Sequence, residues 1–414
     1  MDAREERGLQ IAQNSKIVET PVGWKVPSQS GNGTYIVNLD HGNPFCTCPD
    51  FEKGNKCKHI HAVTFIIQKQ VKPDGTTVET KSMTMTCTQE WTAYNDAQTH
   101  EQERFVLLLR DLCNGIQQPA QNFGRPRLPL ADVIFGMVFK SYTTMSGRRF
   151  MSAIRDAETK ELVSKSPSFT SGFRYLENPD LTPILKTLIE QSASPLRAVE
   201  TDFAVDSSGF ATTTYARWFD HKWGRERTHQ NWIKTHLICG VKTHVVTSVE
   251  ATPNESADNI QLPALVNQTA KTFDINEVSA DKAYSDRRNL KVVQAVGGTA
   301  YIPFKVNSTG MGDNHHKFDG LWNYMWHFYN CNRDAFMAHY HKRSNVETTF
   351  SMIKAKFGTS VRAKTPIAQV NEVLCKVLCH NICVLIQSAV ELGIETTFDT
   401  FGTGKTVVPK MAWD

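Results

Sequence analysis

The fold and chemistry of this chain turn on Tyr340-His-Lys-Arg343-Ser-Asn-Val-Glu347-Thr-Thr-Phe-Ser-Met-Ile-Lys354. At about 100° per residue the stretch reads as one helix. Tyr340, Arg343, Glu347 and Lys354 then fall within roughly 60° of one another. Val346, Phe350, Ile353 and Phe357 form a neighbouring apolar stripe, so one side is built for a core. The adjacent side presents a carboxylate flanked by an arginine, a lysine and a phenol. A carboxylate holds hard cations, and the two basic groups hold phosphate oxygens. A charged helix face is equally the ordinary solvated side of a helix, so residues elsewhere in the chain decide between the two.

Those residues lie upstream. From Ala198 apolar residues alternate with polar ones through Val199, Thr201, Phe203 and Val205, the period of a strand. The pattern predicts a strand ending at Asp206 on a Ser-Ser-Gly turn, with 211–219 and 232–249 as further strands of an antiparallel meander. A helix follows near 257–272. Glu277–Asp281 reads as a short strand with an acidic end, and Ser285-Asp286 as the N-cap of a helix to about Val296. Thr299–Lys305 is the last strand. Residues 306–332, rich in glycine and aromatics (Trp322, Tyr324, Trp326, Phe328 and Tyr329), read as an insertion before the Tyr340 helix. This order predicts an α/β fold, a mixed sheet flanked by helices that resembles the ribonuclease-H-like fold.

In that fold Asp206 and Asp281 each end a strand, and Glu347 arrives on a helix beside them. Phosphodiester cleavage by two metal ions requires carboxylates converging on ions about 3.5–4 Å apart, so these three acids are the expected ligands of a divalent cation. Asp202 shares a strand face with Asp206, and the Ser-Ser-Gly turn favours Asp206 as the ligand.

The N-terminal part carries other chemistry. Strand-like pieces punctuated by glycines lead to Cys46-Thr-Cys48, an eight-residue gap and Cys57-Lys-His59. Three thiolates and an imidazole make a closed tetrahedral zinc site with no open position, hence a structural one. His61 rivals His59 for the fourth place, and the C-x-H spacing favours His59. The pattern resembles the SWIM zinc finger over roughly residues 30–70. The domain reading is a zinc module over 1–70, its end a short helix from Ile60 to Gln70; a linker over 71–98; a helical region over 99–197; a catalytic core over 198–390; and a tail over 391–414. Helices are expected at 101–112, 129–145, 147–159 and 180–192. Between Lys140 and Arg174 seven Lys or Arg face three Asp or Glu, so the helical region is either a DNA-binding face or a solvated spacer.

The net charge of +4 over 414 residues is too mild to prove a nucleic-acid partner by itself. Met-Asp-Ala-Arg-Glu-Glu lacks the apolar run of a signal peptide. Val373–Val390, interrupted by Lys376, His380, Asn381 and Gln387, reads as a buried helix and not a membrane span. Ten cysteines in an apparently cytoplasmic chain read as metal ligands or reduced thiols. Cys375, Cys379 and Cys383, with His380 between them, are read as core residues.

Asp206, Asp281 and Glu347 resemble the DDE triad of insertion-sequence transposases. Tyr340-x2-Arg343-x3-Glu347-x6-Lys354 matches the Y-x2-R-x3-E-x6-K motif of the insertion-sequence-four family at all four positions. The resemblance covers roughly residues 198–390. It implies a ribonuclease-H-like core, dependence on magnesium (or manganese), binding of double-stranded DNA at the element's inverted repeats, and strand transfer into target DNA. It implies that Glu347 is a metal ligand, that Tyr340, Arg343 and Lys354 contact DNA near the cut, and that the chain works as a homodimer or larger synaptic assembly on the nucleoid. Members often carry a β-rich insertion before the glutamate, and the one here is short. A domesticated DNA-binding protein with an idle core, and a SWIM-centred protein-interaction factor, are the alternatives.

Overall fold

The N-terminal segment folds around its cysteines, and the longer remainder around one sheet. The computed structural model describes residues 3–71, 77–81 and 91–398, apart from 16, 21–22, 29–32, 40–43, 122, 125, 213–231, 254–255, 311–319, 395 and 397. Two units separate, Met1–Gln89 and Glu90–Asp414.

In the first unit β1 (Val18–Thr20), β2 (Gly23–Pro27), β3 (Thr34–Asn38) and β4 (Phe45–Cys46) form an antiparallel sheet in that order. Trp24, Val26 and Val37 turn inward, where Ile11 of the Ala3–Asn14 helix and Ile60 and Val63 of the Lys58–Ile66 helix meet them. The helix expected to reach Gln70 stops at Ile66. Residues 67–71 form β5 and pair with β6 (Thr77–Lys81), from Ile67↔Lys81 to Val71↔Thr77. Residues 72–76 and 82–90 of the expected linker lie outside the described residues. The remainder of the expected linker includes the Trp91–Thr99 helix.

In the second unit β7 (Asp202–Ala211), β8 (Trp232–Gly240), β9 (Val246–Pro253), β10 (Glu277–Ala280) and β11 (Thr299–Tyr301) lie in the order β11-β10-β7-β8-β9. The first three strands are antiparallel, while β10 runs parallel to both β7 and β11. This is the mixed, helix-flanked sheet that the sequence predicts. Its strand boundaries differ. β7 does not turn at Ser207-Ser-Gly, because β8 continues the ladder opposite it, with Ser207↔His236, Ser208↔Thr235 and Gly209↔Lys234. Beyond Thr212 the expected 211–219 strand lies outside the described residues. The run read as one strand over 232–249 is broken by a turn. The buried Glu200 carboxylate accepts the backbone N–H groups of Lys242 and Thr243 and pins that turn. Gly240 is needed beside it, since a Cβ there would lie 2.3 Å from the Glu200 side chain.

Alternation along β7 feeds two cores. Phe203 and Val205 pack with Leu262, Val266, Val278 and Leu290. Ala204 and Phe210 point to the opposite core, shared by Val346, Phe350, Val373 and Leu374. The helical region belongs to this second core: Phe105, Leu109, Val133, Ile154 and Leu185 all lie in it. Its helices run over Glu101–Asn114, Leu130–Thr143, Gly147–Thr159 and Leu181–Ala193 near the expected places, with an unforeseen one over Phe169–Leu176. The last expected strand ends at Tyr301, four residues early, and the segment read as an insertion contains the Gly320–Cys331 helix, with Trp322 and Met325 buried. Residues 311–319, and all of the expected tail beyond Phe398, lie outside the described residues.

The Pro366–Leu392 helix is long and apolar enough to cross a membrane, but most of it is buried inside the fold. Its polar residues are satisfied there, as buried polar groups must be. The Asn381 amide donates to the carbonyls of Ile189 and Val246 and to Ser192 Oγ, and its own carbonyl accepts the Val246 N–H. Cys375 and Cys379 are buried, the Cys379 thiol against the Val138 carbonyl, and the His380 ring meets the His244 carbonyl at 2.9 Å. These residues join no metal-binding cluster among the described residues.

Lys376 on this helix is 4% exposed and donates to the Gly358 and Ser360 carbonyls. Burial pushes its pKa down to about 8, against partial support from Glu372. The folded pKa lies below the unfolded one, so between the two the unfolded chain holds the extra proton and stability rises with pH. Denaturation from pH 7.5 to 10 is expected to show that rise, and Lys376→Met is expected to remove it.

Candidate active site and zinc-binding cluster

The sheet brings the first two acids together. Parallel pairing of β7 with β10 ends at Val205↔Ala280, so Asp206 and Asp281 stand side by side at the next step of the register. Asp281 begins the turn that leaves β10. Asp206 is not at a strand end as expected; it lies within β7, where the strand loses its parallel neighbour. The third acid arrives from the other side. The helix expected from Tyr340 to Lys354 is instead the Arg333–Tyr340 helix, a 3-10 turn over His341–Arg343 and the Ser344–Phe357 helix. The backbone stays right-handed helical through the tighter turn, with Tyr340 at φ −60°, ψ −35° and Arg343 at φ −55°, ψ −31°. Glu347 therefore keeps the predicted face, in the first turn of the second helix.

Two consecutive side chains tie this turn to the sheet. Lys342 Nζ lies 2.7 Å from both Asp202 Oδ2 and Glu277 Oε2, the register partners that open β7 and β10. His339 Nδ1 meets the other Glu277 oxygen at 2.8 Å, and its ring stacks on Tyr301 at 4.3 Å. Asp202 is thus committed to a lysine and to Asn276, and takes no part with the other acids. Sequence reasoning missed Lys342, Glu277 and His339. Nothing in their spacing signals them, since they meet only once the strands are in register.

Arg343 points to the acids. Its Nη1 donates to Glu347 Oε1 at 2.8 Å and its Nη2 to Asp206 Oδ2 at 2.8 Å, with Asp281 Oδ2 3.9 Å away. Its Nε is buried without a hydrogen-bond partner. The side chains grade from Asp206 at 17% exposed through Asp281 at 40% to Glu347 at 58%, so Asp206 is the floor of the site and Glu347 its rim. Burial raises the Asp206 pKa; the Ser207 N–H and Arg343 oppose this, while Asp281 and Glu347 add to it. Three carboxylates share one guanidinium, which leaves an excess of negative charge. That donor set suits hard divalent cations.

The other two motif residues flank the acids. Tyr340 is half-buried beside Arg343; burial raises its phenol pKa and Arg343 opposes the rise. Lys354 Nζ donates to Ser208 Oγ at 2.6 Å and lies over the rings of Phe210 and Phe350 at 5.3 and 5.8 Å. Ser208 follows Asp206 by two residues on the same strand face, which places Lys354 about 7 Å along β7 from the acid.

In the first unit Cys46, Cys48, Cys57 and His59 are all buried, and their ligand atoms lie within 4.8 Å of one another. Cys46 ends the sheet, Cys48 precedes the Pro49–Glu52 helical turn, and Cys57 and His59 bracket the start of the Lys58–Ile66 helix. His59 Nδ1 faces Cys46 Sγ at 3.9 Å, close to the separation of about 3.5–3.8 Å that tetrahedral bond lengths imply. Hydrogen bonding to Cys57 and burial hold Cys46 far above the ordinary thiol range, while hydrogen bonds from Cys46 and His59 pull Cys57 down. His61 stands apart from the cluster, with its Cβ 2.6 Å from where a Cβ on Gly8 would be.

Carboxylates from two parallel strands and a helix gather around one guanidinium beside a mixed, helix-flanked sheet and form a candidate active site; unlike the cysteine–histidine cluster, they are not drawn within 4.8 Å of one another. Residues 197–382 match the family model of the transposase DDE domain, and residues 35–66 that of the SWIM zinc finger. The chain therefore carries a transposase DDE domain behind an N-terminal SWIM zinc finger, which supports a transposase. The three acids fall inside the first match and the cysteine–histidine cluster inside the second, which supports one structural zinc ion. No solved structure matches the chain.

Metal affinity in small zinc modules is worth about 10–16 kcal/mol and so decides whether they fold. One zinc per chain is expected by atomic absorption. Cys48→Ser is expected to lose that zinc and to open residues 35–66 to protease, with the melting of the larger unit unchanged.

Proposed function

We propose that this protein cuts the DNA at the ends of a mobile element and joins those ends to target DNA, with Asp206, Asp281 and Glu347 holding divalent cations, magnesium or manganese. The observation that carries the proposal is the convergence of Asp206 and Glu347 on Arg343 with Asp281 alongside. Acids from distant parts of the chain are held together there against their mutual repulsion, an arrangement that a purely structural role does not need.

Each residue has a distinct task. Asp206, half-enclosed and rigid in the sheet, fixes the position of the scissile phosphate's counter-charge. Asp281 and Glu347, more exposed, complete the ligand set. When bound, a pair of divalent cations polarises the phosphate and activates the attacking water or 3′-hydroxyl. Arg343 holds the acids together beforehand. With the excess negative charge neutralised, its planar fork is free to take a phosphate oxygen pair beside the cut, a geometry lysine does not offer. Lys354, held by Ser208 and aromatic rings with no carboxylate partner among the described residues, holds a neighbouring phosphate. Tyr340 buttresses the same strand.

Joining both ends of an element requires two such sites in one assembly, so a homodimer or larger complex on double-stranded DNA is the working form. Such a protein acts in the cytoplasm at the nucleoid. The insertion-sequence-four reading rests on the four-position motif of Tyr340, Arg343, Glu347 and Lys354.

The test is cleavage and strand transfer on DNA carrying the element's own ends. Asp206→Asn, Asp281→Asn and Glu347→Gln are each expected to reduce the rate by about 10³-fold or more while DNA binding persists. Arg343→Lys is expected to cleave poorly despite its kept charge. Lys354→Ala is expected to lower the salt slope of binding by about 0.9. Wild-type cleavage by Asp281→Asn contradicts the assignment of the second acid.

A further inference from the structure

A cavity of about 420 Å³ opens in the second unit at the far end of the Ser344–Phe357 helix. Phe173, Leu176 and Ala368 give it an apolar wall, and Lys140, Arg362 and Lys364 line it with positive charge. Two carboxylates also line it: Glu372 accepts the backbone N–H groups of Arg362 and Ala363, and Glu177 is exposed at the end of the Phe169–Leu176 helix, so three cations face two acids. The Lys140 ammonium makes no hydrogen bond or ion pair among the described residues and lies 5.9 Å from the Phe173 ring. Phe173 is 43% exposed. The lining thus combines a lysine set against an accessible aromatic ring, with Glu372 in its field, and two further cations, Arg362 and Lys364, that are exposed. It suits an anion that carries a flat apolar group.

The cavity lies on the line of the active site. From Glu347 to Phe357 the helix advances about 15 Å. The strand measures the same span: Ala211, which ends β7, pairs with Thr359 and Val361 on the way to Arg362, and lies about 17 Å along the strand from Asp206. Lys354 sits between, 5.3 Å from the centre of the Phe210 ring, while Lys376, 5.6 Å from the same ring, is buried and bonded to the Gly358 and Ser360 carbonyls. At 3.4 Å per step that span is about five nucleotide steps of a DNA strand.

We propose that this cavity is a nucleotide subsite, which takes one unstacked nucleotide of the bound DNA about five steps from the cut, its phosphate on Lys140, Arg362 and Lys364 and its base against Phe173. Aromatic stacking captures an exposed base of any sequence, so the site anchors the strand without reading it. The inference rests on the DNA-cleaving reading above and adds a place on the strand where the protein grips.

Photocrosslinking with the full chain tests it. Single 5-iodouracil substitutions are scanned along both strands of an element-end DNA, and the crosslinked residue is mapped by peptide sequencing. A crosslink to Phe173 from one position about five nucleotides from the cut is expected, lost in Phe173→Ala. Lys364→Gln, at an exposed position, and Lys140→Met, similar in shape, are each expected to lower the salt slope by about 0.7–0.9 at unchanged melting temperature. If the protein binds and cleaves DNA but no position crosslinks to Phe173 and both slopes equal wild type, the subsite is refuted and the cleavage reading stands. If 5-iodo-deoxyuridine monophosphate alone crosslinks to Phe173 and DNA does not, the cavity takes a free nucleotide and the proposal fails. If the protein does not bind DNA at all, both readings fail together.

Discussion

Repulsion among three carboxylates is the constraint around which the larger unit is built. Asp206, Asp281 and Glu347 gather beside the central strand of the sheet, at the point where β10 ends, and burial already penalises charge on the innermost of them. One guanidinium, that of Arg343, holds them through short contacts to Asp206 and Glu347. Close pairs at a partly buried site are far less screened than surface pairs. They therefore fix the angle at which the Ser344–Phe357 helix meets the sheet. The apolar stripe of that helix sets how deep it sits, and Arg343 sets where along β7 it stops.

The neighbouring lysine does the same task for the opposite reason. Lys342 reaches away from the acids to Asp202 and Glu277, and those carboxylates have no role in the chemistry proposed here. Replacing such a pair with apolar residues often costs little stability, so its value lies in orientation. One short 3-10 turn thus carries two anchors, one for the fold and one for the site. That turn is also where the single predicted helix is interrupted, and the tighter winding lets adjacent residues reach different partners on the sheet.

Much of this was legible in the sequence because it rests on local periodicity. Alternation at Phe203 and Val205 identified the central strand, and the 3.6-residue period identified the helix that carries Glu347. The fixed spacing of Cys46, Cys48, Cys57 and His59 identified the metal cluster. What was misread depended on distant partners. Ser207-Ser-Gly has turn composition but stays extended because β8 lies opposite it. The β8–β9 turn has no strong turn residues except Gly240 and exists because the buried Glu200 binds its backbone. The Lys342 cluster combines residues as far apart as Asp202 and Lys342, and the cavity beside Phe173 residues as far apart as Lys140 and Glu372, and no window of sequence contains them.

In both clusters groups that repel one another are gathered by the fold. The thiols of the N-terminal cluster are buried and closed, as suits a structural ion. The carboxylates are graded from buried to exposed, as suits ions that must meet a substrate. The most direct measurement of that claim is manganese stoichiometry by electron paramagnetic resonance, on full-length protein bound to an uncleavable element-end DNA. The account predicts two ions per chain beyond the zinc, and loss of tight manganese binding in Asp206→Asn and in Glu347→Gln. Undiminished manganese binding in those variants would contradict it.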